Sequence, residues 1–202
     1  MAKPSWLQID PASGSGNGSI SNSASPHTGR VARTGTVTVT GVGVAKPVTY
    51  KVTQSPKAEF VSYDEGPEMS APKGGGAVTV TGKTNSNKLT FKWNGEVSDV
   101  TIPEQYQANG TPTNNGTEIA DDPGAQAEFA FSIALDFPKN DTVEEVERTL
   151  IVEAGGGKSA QITIKQAAGD ATLSVEPVEI TIPQEGTAQT VQVKSNTTWT
   201  VS

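Results

Sequence analysis

A chain of 202 residues with no cysteine has no disulfide framework and no thiolate chemistry. Its apolar fraction of 34% is low, and its 21 glycines and 13 prolines are typical of short strands joined by many turns. The net charge of −7 argues against a nucleic-acid-binding protein, because phosphate contacts require clustered cations.

The N-terminal segment, residues 1–55, predicts two strands that form a hairpin. Val37–Thr40 and Val48–Thr53 alternate apolar and polar side chains with a period of two, and the glycine-containing turn Gly41–Gly43 separates them. The segment carries five basic residues and one acidic residue, so that its net charge is +4. We expect this segment to supply part of a β-sandwich.

Residues 146–166 repeat this pattern further along the chain. Both segments have an Arg-Thr pair, an alternating strand, a glycine-containing turn and a second strand that ends on glutamine. In this comparison Arg33 corresponds to Arg148, and Gln54 corresponds to Gln166. Internal similarity of this kind indicates that one structural unit occurs more than once.

A second pair of segments, residues 58–93 and 171–201, begins alike. Each has an opening strand, a glycine-containing turn, an alternating strand, a Lys-(Ser/Thr)-Asn step ending at Asn85 or Asn196, and then an aromatic strand. After the asparagine the match requires an insertion of a residue or two. Residues 169–202 contain one basic and four acidic residues, a net charge of −3.

The two repeats divide the chain into three parts. Residues 56–168 hold both halves of the repeat and predict a complete sandwich with a long insertion at 94–145. Residues 1–55 hold only the second half, and residues 169–202 hold only the first half. We therefore expect an all-β fold of tandem immunoglobulin-like antiparallel β-sandwiches, one of them built from the two chain ends. Completion in cis, completion in trans and a truncated chain are the three interpretations of the half-sandwiches.

The two ends also resemble a known family. An aromatic strand after Ser195-Asn196, the stretch Trp6–Ile20, an Arg-Thr strand and a last strand closing on glutamine are similar to BACON modules. These are immunoglobulin-like sandwiches of Bacteroidetes surface proteins and of the virion proteins of crAss-like phages. The resemblance implies a β-sandwich with either a structural or a carbohydrate-binding role. It carries over no ligand-binding residues and implies that the tryptophan and glutamine positions are structural.

Residues with catalytic or metal-binding chemistry are few. The one histidine, His27, lies in a turn where we expect it to be solvated, and no cysteine or second histidine supports it. The stretch Ser13–Gly18 lacks the Lys-Ser/Thr of a phosphate-binding loop, and the acidic turn Asp121–Gly124 lacks the spacing of a calcium loop. We therefore predict that the protein is not an enzyme and has no catalytic residues, cofactor or metal site.

Binding to a sugar would require exposed aromatic side chains. The long polar segment 103–124 is the best contact surface for a protein or a glycan, since loops of this length are usually functional or disordered. The candidate contact residues are Trp93, Tyr106, Asn109, Asn114 and Asn115. The seam between the two half-sandwiches is predicted at Trp6, Leu7, Trp199 and Val201.

These observations favour a non-enzymatic structural protein, an auxiliary or decoration component of a phage virion. Its partners would be other virion proteins or further copies of itself, and possible surface glycans, with no nucleic acid and no membrane insertion. Because Pro4 follows Met1-Ala2-Lys3, we expect no secretory signal and a virion location after synthesis in the host cytoplasm. The alternative is a carbohydrate-binding module of a Bacteroidetes surface or secreted protein.

Overall fold

The computed structural model describes residues 3–202, in which nearly every regular element is a strand. The expected all-β fold is confirmed. In the N-terminal segment, strand β1 (Leu7–Asp10) pairs antiparallel with β2 (Ser21–Ala24). Strand β3 (Arg33–Val39) pairs antiparallel with β4 (Val48–Gln54), which is the hairpin that the alternating pattern predicts.

The middle of the chain forms a two-layered sandwich. Its strands are β5 (Val61–Tyr63), β6 (Glu68–Ala71), β7 (Gly76–Thr84), β8 (Leu89–Trp93), β9 (Gln105–Ala108), β10 (Thr111–Asn114), β11 (Phe129–Phe137), β12 (Val146–Ala154) and β13 (Ser159–Gln166). One sheet has the order β10-β9-β11-β7-β5, and the other has the order β6-β13-β12-β8. All neighbours are antiparallel except β6 and β13, which run parallel.

The core lies between these two sheets, because each long strand points alternate side chains inward. Strand β11 shows the rule most clearly, with every second residue from Phe129 to Phe137 buried. The rings of Phe91 and Phe131 meet edge to face with centroids 5.7 Å apart, and Tyr106 packs against Phe91 at 5.0 Å. Such aromatic pairs add about 0.5–1.5 kcal/mol each beyond their buried area.

Residues 94–145, predicted as a long insertion in the central sandwich, contribute strands to the sandwich itself. The segment supplies β9, β10 and β11, three of the five strands of one sheet. Asn109 and Gly110 have φ of 50° and 76°, and these two residues alone join β9 to β10. An Asn-Gly pair suits a two-residue hairpin turn because both positions require positive φ. The polar segment 103–124 is therefore partly a hairpin that extends the sheet.

A buried polar cluster closes one end of the sandwich. Arg148, although on a core-facing position of β12, donates through Nε to Asp99 at 3.1 Å and through Nη1 to Gln166 at 3.2 Å. The guanidinium also lies over the ring of Phe137 at 5.4 Å. A buried arginine is tolerated where its donors are satisfied in this way.

The ion pair of this cluster predicts a dependence of stability on pH. The hydrogen bond from Arg148 holds the pKa of Asp99 below its usual value. Because the pKa is lowered on folding, the stabilisation is present above the unfolded pKa of about 3.9 and is lost as the pH falls through the folded value. We expect the free energy of unfolding of Asp99→Asn to fall less steeply below about pH 4 than that of the wild type. The difference between the two should be less than about 1 kcal/mol, since Asp99 is half exposed.

Urea unfolding between neutral and acid pH measures this effect. Asp136→Asn is the control, because Asp136 is exposed on β11 and makes no ion pair within the described residues. Equal acid slopes for the wild type and Asp99→Asn would contradict the prediction.

The C-terminal segment contains a single hairpin, in which β14 (Leu173–Glu176) pairs antiparallel with β15 (Gln192–Ser195). The residues between and after these strands have no ladder partner. Residues 3–202 include no helix that is long and apolar enough to cross a membrane.

Candidate interaction surfaces at the two ends of the chain

Large apolar side chains that are exposed are confined to the two end segments in the described part of the chain. We call the first group the N-terminal face; it comprises Ile20, Val31, Val39, Val42, Val44 and Val48. We call the second group the C-terminal face; it comprises Leu173, Val175, Val178, Ile180, Ile182, Trp199 and Val201. Contiguous apolar patches on a protein surface mark interaction sites, so the residues of each segment are candidates for one.

The N-terminal segment is held to one end of the central sandwich by a buried asparagine. Asn85 follows β7, and its Nδ2 donates to Thr28 O at 3.1 Å while its Oδ1 accepts from Phe60 N at 3.0 Å. Beside it, Arg30 N donates to Gly124 O at 3.0 Å. These bonds fix the segment against the loop that precedes β11.

The C-terminal segment is held to the opposite end by a second asparagine. Asn196 Nδ2 donates to Asp141 O at 2.8 Å and to Asp170 O at 2.9 Å, and Asn196 Oδ1 accepts from Thr172 N at 2.8 Å. Asp170 also forms an ion pair with Lys73 at 2.7 Å. This end is the one where β7 begins and β11 ends.

The two joints have the same construction. At the first, Lys57 N donates to Gly29 O at 2.9 Å; at the second, Gly169 N donates to Thr142 O at 2.7 Å. In each joint the side chain of an asparagine that follows an alternating strand makes two bonds. Its Nδ2 donates to a backbone carbonyl of the preceding unit, and its Oδ1 accepts from the backbone N–H just before the opening strand of its own unit. The Lys-(Ser/Thr)-Asn step in both repeats marks these two asparagines in the sequence. The sequence alone did not indicate that they connect neighbouring units.

The predicted seam residues are not brought together within one chain. Leu7 is buried inside the N-terminal segment, and the Arg33 guanidinium lies 4.7 Å from the centre of the Trp6 ring. Trp199 and Val201, at the other end, are 51% and 86% exposed. No hydrogen bond or strand pairing joins residues 3–55 to residues 170–202.

The predicted contact aromatics are placed mainly inside the sandwich. Tyr106 is only 2% exposed, and its burial raises the pKa of its hydroxyl to about 12. Trp93 is half-buried, and its indole N–H donates to Val100 O at 2.7 Å. The Tyr106 ring therefore presents no open face of the kind that a sugar stacks on.

The three candidate asparagines lie around the β9–β10 hairpin. Asn109 is exposed in the turn itself, and Asn114 Oδ1 accepts from Gln105 Nε2 at 2.9 Å. Asn115 binds the backbone of Phe91, accepting from its N at 2.7 Å and donating to its O at 3.0 Å. Asn115 therefore ties the hairpin to β8, whereas Asn109 and Asn114 remain at the surface.

The residues with possible chemistry are absorbed into structural contacts. His27 is 9% exposed rather than solvated, because its Nε2 lies 2.7 Å from Val31 O and the segment packs on the central sandwich. Asp122, in the acidic turn, forms an ion pair with Arg30. Within residues 3–202 there is no cluster of three side chains suited to a metal ion.

Comparisons with known proteins concern the N-terminal segment and the fold. Residues 1–55 match the model of the BACON family, described as "Putative binding domain, N-terminal". No curated protein matches the chain.

Three solved structures are similar to parts of the chain. A GH5 xyloglucanase of Bacteroides ovatus in complex with a XXXG heptasaccharide is 14% identical with a TM-score of 0.33, over 54% of this chain and 19% of that one. A protein from Bacteroides thetaiotaomicron is 16% identical with a TM-score of 0.26, over 50% and 76%. Domains 4–9 of the surface layer protein SbsC are 14% identical with a TM-score of 0.39, over 81% and 24%. The resemblance of the N-terminal segment to BACON modules is confirmed, since residues 1–55 are similar to a BACON domain.

Proposed function

We propose that this chain is a non-enzymatic assembly protein whose immunoglobulin-like sandwiches make contacts with other proteins in a larger particle. The observation that carries the proposal is the distribution of apolar surface. The central sandwich exposes no large apolar side chain among the described residues, whereas the N-terminal and C-terminal faces each expose several. Groups of large exposed apolar side chains are usually covered by a partner.

The particle that we propose is a phage virion, in which the chain is an auxiliary or decoration component made in the host cytoplasm. Support comes from the BACON match of residues 1–55 and from the resemblance of such modules to virion proteins of crAss-like phages. Other virion proteins or further copies of the chain would be the partners.

The placement of the aromatic residues favours protein contacts over sugar binding. A carbohydrate-binding module needs at least one open aromatic face, but Tyr106 lies in the core and Trp93 is half-buried with its N–H engaged. The most exposed tryptophan, Trp199, belongs to the C-terminal face and not to the β9–β10 hairpin.

Purified particles from a phage whose genome encodes this chain provide the test. We expect quantitative mass spectrometry to find the protein in density-purified virions at a fixed ratio to the capsid protein. Its absence from particles, although it is present in the lysate, would contradict the virion role. Glycan-array binding that is lost in Trp93→Ala and retained in Trp199→Ala would support the carbohydrate-binding alternative instead.

A further inference from the structure

We propose that the C-terminal face of one chain docks on the N-terminal face of a second copy, so that residues 169–202 and residues 1–55 together form one sandwich. The inference rests on the proposed function as an assembly protein and names the partner of the two faces. It follows from equivalences between the end segments and the complete central sandwich.

The C-terminal segment repeats the first half of the central sandwich. In the central unit Gly75 N donates to Pro72 O at 3.0 Å, and in the C-terminal segment Gly186 N donates to Pro183 O at 2.8 Å. The two glycines have φ of 79° and 73°. The β14–β15 hairpin also repeats the β5–β7 pairing, since the opening strand lies antiparallel to the last residues before the asparagine in both.

The N-terminal segment repeats the second half of the central sandwich. Gln54 ends β4 as Gln166 ends β13, and each accepts a hydrogen bond from the arginine of the neighbouring strand. Gln54 Nε2 donates to Ser25 O at 2.9 Å, and Gln166 Nε2 donates to Pro138 O at 2.8 Å. The two carbonyls occupy equivalent places, just after β2 and β11.

The central sandwich shows how two such halves join. Strand β6, from the first half, lies parallel to β13, from the second half, with Glu68 opposite Thr163 and Ala71 opposite Gln166. The Gln166 amide then also donates to Pro72 O at 2.9 Å. The glutamine therefore binds one carbonyl from each half.

Transferred to the end segments, this register makes a specific pairing. Residues 179–182 of one copy lie parallel to residues 51–54 of the next copy, with Glu179 opposite Lys51 and Ile182 opposite Gln54. Gln54 Nε2, already bound to Ser25 O, then has Pro183 O of the second copy as its other acceptor. Addition of a strand to an open sheet edge is an established mode of recognition, in which backbone bonds supply affinity and alternate side chains supply register.

Two of the exposed apolar side chains of the C-terminal face fall on core positions of the completed sandwich. Ile182 corresponds to Ala71, and Val201 corresponds to Phe91; both central residues are buried. Burial of an isoleucine or valine side chain stabilises a contact by roughly 1.5–3 kcal/mol.

The pairing of β8 with β12 places a further apolar contact in the seam. Leu89 lies opposite Ala154 at the end of β12. Counted from the Arg-Thr pair of each repeat, their counterparts are Trp199 and Val39, which are both exposed in the single chain. Counted from the closing glutamine, the hairpin register puts Val39 at the place of Val152, opposite Phe91, so that Val39 meets Val201 instead. In either register an exposed apolar residue of one face meets one of the other.

A second copy fits these faces better than the chain's own other end. The joints hold the two segments at opposite ends of β7, whose nine residues span about 26 Å. The net charges of +4 on residues 1–55 and −3 on residues 169–202 attract each other between copies. Since the contact is head to tail, repeated association produces a ring or an open filament. Neighbouring sandwiches in it are connected by the same two kinds of joint.

Two charged substitutions on the purified chain of 202 residues test the proposal. Val48→Asp alters the N-terminal face; Val48 corresponds to Ala160 of the central sandwich. Ile182→Asp alters the C-terminal face. Both side chains are exposed in the single chain, so that its folding is preserved. We expect the wild type to associate with rising concentration in sedimentation experiments, and each variant to weaken association on the order of a hundredfold, because an unpaired charge would be buried.

Adjacent residues that point away from the seam provide matched controls. Thr49→Asp and Thr181→Asp place the same charge one residue away, on the outer side of each strand, and are expected to associate like the wild type.

Mixing the two face variants gives the sharpest outcome. Each variant retains one intact face, so the equimolar mixture should restore a single contact and stop at a one-to-one heterodimer, whereas each variant alone stays monomeric. A wild type that is monomeric at every concentration, or a mixture that forms no heterodimer, would overturn the proposal. The virion role is judged independently, by the presence of the chain in purified particles.

Discussion

Replacement of Gln166 by alanine is expected to destabilise the central sandwich by about 3 kcal/mol or more. Gln166 is completely buried, and its amide donates to Pro72 O at 2.9 Å and to Pro138 O at 2.8 Å. Its Oε1 accepts from Arg148. Each buried polar group that loses its partner costs about 1–3 kcal/mol, and this substitution leaves Pro138 O and one guanidinium N–H unpaired, whereas Pro72 O keeps its bond from Gly75 N.

The measurement is the urea-dependent exchange of amide hydrogens in β11 and β12, which reports on the central sandwich separately from the end segments. Gln161→Ala is the matched control, because Gln161 is exposed on the same strand and its loss should change stability by less than about 0.5 kcal/mol. If Gln166→Ala cost no more than this control, the glutamine would not be the residue that ties the two halves of the sandwich together.

The strands that sequence analysis located correctly are those with strong alternation. Val37–Thr40 and Val48–Thr53 were predicted from a period of two; the first overlaps β3, and the second lies within β4. Where one face of a strand is buried, the pattern of apolar residues alone fixes both the strand and its inward side.

The β9–β10 hairpin was missed because its strands are short and polar. Only Tyr106 and Ala108 give β9 an apolar side, and β10 buries little besides Thr113. The Asn109-Gly110 pair was the available signal, since this dipeptide favours a two-residue turn between strands. Strand order was also beyond the pattern: nothing in the alternation of β6 indicates that it pairs parallel with β13.

The sequence indicated the two half-sandwiches but not where the fold would place them. Repeated motifs show which residues are equivalent, and alternation shows which side chains point inward. The separation of the two faces depends on Asn85 and Asn196, whose amides bind carbonyls that are distant in sequence. The Lys-(Ser/Thr)-Asn sequence occurs in both repeats, but it does not indicate which distant carbonyls the two asparagines will bind.

Replacement of Asn85 by alanine is expected to loosen the joint between the N-terminal segment and the central sandwich. Asn85 is completely buried, and its side chain binds Thr28 O and Phe60 N. Loss of these bonds leaves a partly buried carbonyl and a partly buried N–H unpaired, at a cost of about 2–4 kcal/mol. Lys57 N donates to Gly29 O across the joint. We expect the substitution to accelerate hydrogen exchange at Lys57 more than in the core strands.

Two further variants separate a joint effect from general destabilisation. Asn87→Ala alters a partly exposed asparagine two residues away and should leave exchange at Lys57 unchanged. Asn196→Ala alters the equivalent residue at the other joint, where the side chain is partly exposed, so the cost should be smaller and confined to residues 170–202. Uniform acceleration of exchange in Asn85→Ala throughout the central sandwich, with no excess at Lys57, would mean that Asn85 serves the core and not the joint. In that case the position of the N-terminal segment on the central sandwich would depend on backbone contacts such as Lys57 N to Gly29 O and not on the asparagine.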